Sequence, residues 1–453
     1  MQLLLTNRLS ATQRIKMRAR LSLLLIVFCP AVTVGQMDPV AESSWLIFKN
    51  VTVIDMKGRL PKSGMTVVIH GNRIVATGSS SVIRTISIPK NALTIDGHQK
   101  FLLPAFWDMH AHLGTEDFDK NSYLPLFIAN GVTSIRIMEG EPEYHQWRKE
   151  IENGSLIGPR MFIASRVVGF SALSNISEAG ARVEVKRAKK EGADFVKVHD
   201  SVPRQSYFAL IEEAKRLNLP VEGHVPTSIS AAEASAAGQK SIEHSTGLDE
   251  AKLDESKAKV LSALFTMNRT WLCPTLIMRN NYATLDNQAL ARDPRLKYVK
   301  SSWRNRWLRM TKAAADLPSA EWSKRKEMIR KEKILVGRMQ KSGVGILAGT
   351  DDANPYSMVG FGLHDEMAML VEAGLTPLQA LRAATLNPAK FFDKLDSLGT
   401  IEKGKLADLV LLDANPLTDI RNTKRISAVV VNGRYFSPAA LKKILADVES
   451  AAK

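Results

Sequence analysis

The feature that most constrains this chain is a repeated alternation, from Phe101 to about residue 397, of short apolar runs with amphipathic stretches. The run that opens at Phe101 and those at 132–138, 161–165, 195–199, 221–225, 241–244, 270–276 and 344–350 have the length and residue types of buried strands. Between them, stretches such as 206–217 and 231–237 carry apolar residues at helical spacing. Eight strand–helix units predict an α/β fold, a (β/α)8 TIM barrel, in which chemistry sits at the C-terminal strand ends. A doubly wound open sheet is the competing architecture. It fits less well, because polar residues recur at nearly every strand end instead of at one switch point.

The flanks read differently. Segments 45–53, 65–70, 73–77 and 93–95 alternate apolar and polar residues between turn signals, and 406–413 and 426–432 repeat the pattern near the other end. Two β halves separated by the barrel units predict one small β-sandwich domain built from both chain ends. The expected division is therefore a sandwich over 42–100 and 398–437, a barrel over 101–397, and a C-terminal helix or tail over 438–453. Within the barrel, residues 278–341 read as a charged helical insertion carrying Trp303, Trp307 and Trp322. A solvated insertion with its tryptophans packed beneath it competes there with a lid over the barrel mouth or a dimer contact.

The first 35 residues supply Arg8, Arg14, Lys16, Arg18 and Arg20 without an acid, so removing them leaves +11 of the +16 net charge. The apolar run 21–29 follows, then Pro30 and small residues up to Gly35. This is the pattern of a cleaved signal peptide over 1–35, with Met17 as an alternative start, and it predicts a periplasmic or secreted protein. A lipoprotein box at 26–29 and an uncleaved anchor are the competing readings. Cys29 lies in the leader, leaving Cys273 as a lone core thiol and no disulfide framework. No basic run interleaves with aromatics, so nucleic acid is not an expected partner.

Chemistry-bearing residues gather at the strand ends. His110 and His112 stand at i and i+2, and alternation along a strand turns both to one face, as half of a transition-metal site requires. Lys197 lies inside the apolar run 195–199, where a charged amine is costly. Pairing with Asp200 or a neighbour would relieve that cost, and so would reaction of the neutral amine with carbon dioxide to give a metal-bridging carbamate. His224 and His244 tip the next two runs, and Asp351, preferred over Asp352 because it directly continues its strand, tips the last. A carboxylate there can hold a metal and exchange a proton with water.

The set H-x-H, Lys, His, His, Asp on strands one, four, five, six and eight resembles the amidohydrolase superfamily over roughly residues 45–434. The motifs that carry the resemblance are L-P-A-F-W-D-M-H-A-H from Leu103, Gly131-Val-Thr, Glu222-Gly-His, Ile242-Glu-His and Ala348-Gly-Thr-Asp, with two further motifs from Gly374 and Gly399. The resemblance implies two divalent metal ions, usually zinc. His110 and His112 would bind one and His224 and His244 the other. Carboxylated Lys197 and a hydroxide would bridge them, and Asp351 would be both ligand and catalytic acid–base.

Within the superfamily the chain is similar to the prolidase-like branch of Xaa-Pro and Xaa-aa dipeptidases, related to imidazolonepropionase. The implied activity is hydrolysis of an amide or peptide bond, by a dipeptidase, carboxypeptidase or N-acyl amino acid hydrolase. A cyclic-amide hydrolase or a deaminase is the alternative, and a non-catalytic metal-retaining binding protein is the alternative of another class. Deaminases resemble a pattern with a Glu shortly after the fifth-strand histidine; here no acid follows His224 until Glu233. Two positions depart from the dipeptidase wording, Ile137 where an Asp is usual and Pro226 where some members have an aromatic. Arg136 is a candidate for pairing with a substrate carboxylate or for a structural ion pair, and His364 for touching substrate or capping its helix. The expected partner is a small-molecule or peptide substrate, with no membrane span in the mature form and homo-oligomerisation left open.

Overall fold

The computed structural model describes residues 45–58, 60–79, 87–249 and 254–453; the expected leader, Cys29 and the start of the β module at 42 lie outside them. Two parallel sheets form the centre. One contains β6 (Phe106–Ala111), β7 (Val132–Ile137) and β8 (Arg160–Ile163). The other contains β9 (Val196–Val198), β10 (Val221–Gly223), β11 (Ser241–Glu243) and β12 (Trp271–Cys273), also in sequence order. Every residue of β6, β7, β9, β10 and β11 is buried, as parallel strands covered on both faces must be. A bridge between Ala164 and Phe195 leads from the first sheet to the second.

Residues 344–350, expected as the eighth strand, do not form a regular strand. They make one bridge, Ile346 to Leu272, and the Ala348 carbonyl accepts from the Met109 N–H at 2.9 Å. Gly349 explains the irregularity: a Cβ there would lie 2.6 Å from Cys273 Sγ and 2.7 Å from the His110 nitrogen. The segment presses too closely on its neighbours for regular side-chain alternation.

The run beginning at Phe101 is also not one strand. It divides into β5 (Phe101–Pro104) and β6, and the two belong to different sheets. Pro104 has no N–H to extend a ladder. Beyond it the Ala105 N–H donates to the Asp408 carbonyl and the Phe106 N–H to Gly131, so the chain changes sheets at this residue.

β5 belongs to an eight-stranded mixed sheet with β1 (Trp45–Val53), β2 (Lys62–His70), β3 (Arg73–Ser79), β4 (Leu93–Asp96), β13 (Leu409–Leu412), β14 (Ile426–Val431) and β15 (Arg434–Phe436). The order is β15-β14-β13-β5-β1-β2-β3. The seam between the chain ends is the antiparallel pair β5–β13, with Leu102 opposite Leu411. β1 forks the sheet, pairing β4 through Leu46 to Lys49 and β5 through Thr52 and Val53. Phe48, Val67, Leu102, Leu409 and Val430 share one buried cluster, so residues hundreds of positions apart bury a common face.

The 278–341 region is helical, with helices Leu276–Ala283, Ser301–Ala314 and Ser319–Lys341. Trp307 and Trp322 are buried with Leu285, Leu296, Tyr356 and Met358, and Trp303 packs against them. A final helix, Pro438–Ala451, packs against helix Leu124–Ala129. Among the described residues no helix is long and apolar enough to cross a membrane.

Candidate metal centre

The tips of the parallel strands meet at a cavity of about 480 Å³ that contains His110, His112, Lys197, His224, His244 and Asp351. The backbone around the first two is clamped. Asp108 accepts from the His110 N–H, the Thr350 N–H and the Thr350 hydroxyl, at 3.1, 3.0 and 2.7 Å. Asp352 accepts from the His112 N–H at 2.6 Å, and the Asp351 N–H donates to the His110 carbonyl at 2.7 Å. Asp352 is thereby a buried support, while Asp351 turns its carboxylate to the histidines.

Three backbone exceptions aim the ligand candidates. His244 and Asp351 adopt left-handed conformations, φ +56° and +51°, which cost a non-glycine residue energy and turn it off the strand direction. Gly223, φ +127°, precedes His224; a Cβ there would meet the Val198 carbonyl at 2.3 Å and Lys197 Cδ at 3.0 Å. The missing side chain gives Lys197 its space.

His110 Nε2 and His112 Nε2 lie 3.3 Å apart, and 3.5 and 3.2 Å from Asp351 Oδ1. His244 Nε2 is 3.7 Å from Asp351 Oδ2. Ligands about 2.0–2.1 Å from a tetrahedrally coordinated cation stand about 3.3 Å from one another, so these atoms have the spacing of a coordination shell. The opposite ring nitrogens are anchored. His110 Nδ1 meets Glu243 Oε2 and His224 Nδ1 meets Asp200 Oδ1, both at 2.8 Å, and His244 Nδ1 meets Thr275 Oγ1 at 2.6 Å. A carboxylate only accepts, so the Nδ1 proton of His110 and of His224 is fixed and the Nε2 lone pair faces the cavity.

Electrostatics agree with ligand chemistry. Burial holds the His110 and His244 imidazoles well below their ordinary value and His224 at about 4, so each is neutral at pH 7. Burial disfavours the Asp351 charge, but the facing His244 and His112 outweigh it, and its carboxyl lies below the usual range. Lys197 is 2% exposed, and burial lowers its amine from the ordinary value. The donor set of neutral imidazoles, carboxylate and shielded amine fits a divalent cation.

His110, His244 and Asp351 form one convergent group, and His224 converges with His199 and Asp200. The His110–His244 and His224–His244 ring centroids are 4.4 and 4.9 Å apart, so the two groups are contiguous. Asp200 is therefore the partner of His224 and not of Lys197. The anchors Glu243, Asp200 and Thr275 escape a search for ligands, although Glu243 and Asp200 directly adjoin His244 and His199, polar residues inside or at the end of buried runs.

The two residues weighed as candidates for touching substrate both sit away from the cavity. Arg136 is fully buried, donating to Met109 O, Glu222, Ser241 and Glu243 at 2.5–2.9 Å, and does not line the cavity. It is the structural ion pair. His364 lies in helix Phe361–Glu372, buried, its ring nitrogens bonded to Thr423 Oγ1 and the Asn130 carbonyl, also away from the cavity.

Residues 101–435 match the Amidohydrolase family, and the chain belongs to that family. It is a hydrolase acting on carbon–nitrogen bonds. Ochratoxinase of Aspergillus niger is 26% identical over 450 residues, covering 83% of each chain. Among solved structures, bottromycin amidohydrolase superposes with a TM-score of 0.73 at 23% identity, covering 90% of both chains. A putative prolidase from Bifidobacterium longum superposes with a TM-score of 0.70 at 22% identity, covering 90% of this chain and 99% of that one.

Proposed function

We propose that the chain is a metal-dependent hydrolase of an amide or peptide bond, acting as a dipeptidase, carboxypeptidase or N-acyl amino acid hydrolase. The observation that carries this reading is the convergence of the His110 and His112 Nε2 atoms on Asp351 at 3.2–3.5 Å while Glu243 fixes the His110 ring from behind. His110, His112 and Asp351 would hold one divalent cation and His224 and His244 a second, with Lys197 as the bridging carbamate. Two zinc ions, when bound, supply activation of water and polarisation of the scissile carbonyl.

The protein's own part is positioning and proton transfer. Asp351 takes the proton of the attacking water and delivers it to the leaving amine. The neutral amine that burial favours at Lys197 is the form that reacts with carbon dioxide. The bridges between Ala164 and Phe195 and between Leu272 and Ile346, with the Met109 N–H bond to the Ala348 carbonyl, support reading the two parallel sheets as one closed (β/α)8 barrel. The mixed sheet from both chain ends would be the sandwich, over 42–100 and 398–437. The 1–35 leader supports a periplasmic or secreted location.

The test is hydrolysis of a dipeptide and N-acyl amino acid panel by zinc-loaded protein, before and after chelation. Metal-dependent cleavage that disappears in His110→Ala supports the proposal. Release of ammonia from aminopurines in its place would move the assignment to a deaminase. Metal uptake without turnover of any substrate would leave a binding protein.

A further inference from the structure

Besides its histidines, the cavity's basic side chains are Lys197 and Arg279. Lys197 is closed in among the ligand candidates, whereas the Arg279 side chain is 39% exposed. Arg279 lies in helix Leu276–Ala283, directly after β12, and its Nε donates to Glu332 Oε2 at 3.2 Å. Glu332 is itself 2% exposed and forms a fixed anchor for that nitrogen. Among the described residues no protein acceptor takes a hydrogen bond from Nη1 or Nη2 of Arg279. Those two nitrogens are the end of the guanidinium that grips a carboxylate with two parallel bonds.

The position of Arg279 relative to the proton carrier is defined. Tyr282, three residues on and on the same helix face, donates its hydroxyl to Asn354 Oδ1 at 3.0 Å. The Asn354 amide donates to the Asp351 carbonyl at 3.0 Å. Arg279 therefore stands on the Asp351 side of the cavity, where the leaving amine must receive its proton. Val167 and Phe170 line the cavity from the loop after β8, and Phe170, 52% exposed, lies 5.0 Å from the His199 ring. An apolar group in that position loses water contact to Phe170 and Val167.

We infer that Arg279 is the anion-binding residue of this cavity, and that the substrates carry a free carboxylate on the amine side of the scissile amide and an apolar acyl group on the other. The inference rests on the amide-hydrolysis reading and names the substrate class for it. An acid held by Arg279 and an acyl group against Phe170 would place the carbonyl between them, over the histidine cluster. The reaction adds one water: the C–N bond breaks, the acyl carbon gains oxygen as a carboxylate, and the amine leaves with the proton carried by Asp351.

The experiment compares an N-acyl amino acid with the matching C-terminal carboxamide on zinc-loaded wild type, Arg279→Gln, Arg279→Lys and Arg279→Gln/Glu332→Gln. The double variant removes the Glu332 carboxylate together with the guanidinium that bonds it. Wild type is expected to prefer the acid on the order of 10- to 100-fold in kcat/KM, the worth of one charge-assisted pair. Arg279→Gln and the double variant should lose that preference through KM, with carboxamide turnover retained, and Arg279→Lys should restore part of it. A preference for the acid that persists in both glutamine variants overturns the inference, as does wild type cleaving acid and carboxamide equally. Absence of turnover on both substrates in wild type would refute the amide-hydrolysis reading on which the inference rests, and is distinguished by that.

Discussion

Replacing Arg136 with Met tests what the buried polar layer beneath the site contributes. The guanidinium is fully buried between Glu222 and Glu243, both also fully buried, at 2.7–2.9 Å, with Phe391 5.3 Å from its centre. Met fills much of the volume but leaves two carboxylates without their shared cation. Removing one partner of a buried ion pair costs about 3–5 kcal/mol. At the usual unfolding entropy of about 2.1 cal/mol/K per residue, that lowers Tm by about 3–5 °C for the 453-residue chain. Urea unfolding at pH 7.5 and 5.5 is the assay, because the sign of the pH effect is diagnostic. Burial already raises the Glu222 carboxyl, and Arg136 opposes that shift. In the variant it rises further, so the folded state binds more protons than the unfolded one at mildly acidic pH, and the lost stability returns as pH falls. Glu243 also holds the His110 ring, so zinc affinity should weaken about 10- to 100-fold. Wild-type stability at both pH values would refute the reasoning. A change confined to KM for carboxylate substrates would return Arg136 to substrate binding.

Two further outcomes follow from buried histidines. His364→Ala removes a buried ring and orphans Thr423 Oγ1 and the Asn130 carbonyl, so it should cost about 2–4 kcal/mol in urea unfolding while kcat stays at the wild-type value; a large loss of kcat with normal stability would contradict this. Burial holds both His224 and His364 at about 4. Their folded-state values lie below the unfolded one, so stability is complete above about pH 6.5 and is lost as pH falls toward 4, roughly 3 kcal/mol for each group. Metal-free protein with a flat stability profile across that window would be inconsistent with neutral buried rings.

Much of this site was legible because strand alternation is a strict rule. His110 and His112 at i and i+2 reach one cavity, as the spacing requires. His224, His244 and Asp351 were readable as strand tips, but the left-handed turns that aim His244 and Asp351 were not, since His and Asp enter that conformation more readily than other non-glycine residues but still only in a small minority of positions. Arg136 was ambiguous for a different reason. Its acceptors Glu222 and Glu243 lie about a hundred residues away on β10 and β11, and only the parallel arrangement brings them together. The joining of both chain ends in one sheet was foreseeable from matching β patterns, whereas the change of sheet at Pro104 was hidden inside one continuous apolar run. Arg279 lay in a helical stretch without a motif, and its free donors are visible only in three dimensions.

The central claim, that His110, His112, His224, His244 and Asp351 build a two-metal hydrolytic centre around Lys197, is tested most directly by elemental analysis of zinc-saturated wild type and Lys197→Ala, in bicarbonate, beside their amide-hydrolysis rates. The account predicts two zinc ions per wild-type chain, and at most one with hydrolysis abolished in Lys197→Ala. One ion in wild type, or two ions and full activity in the variant, would contradict it.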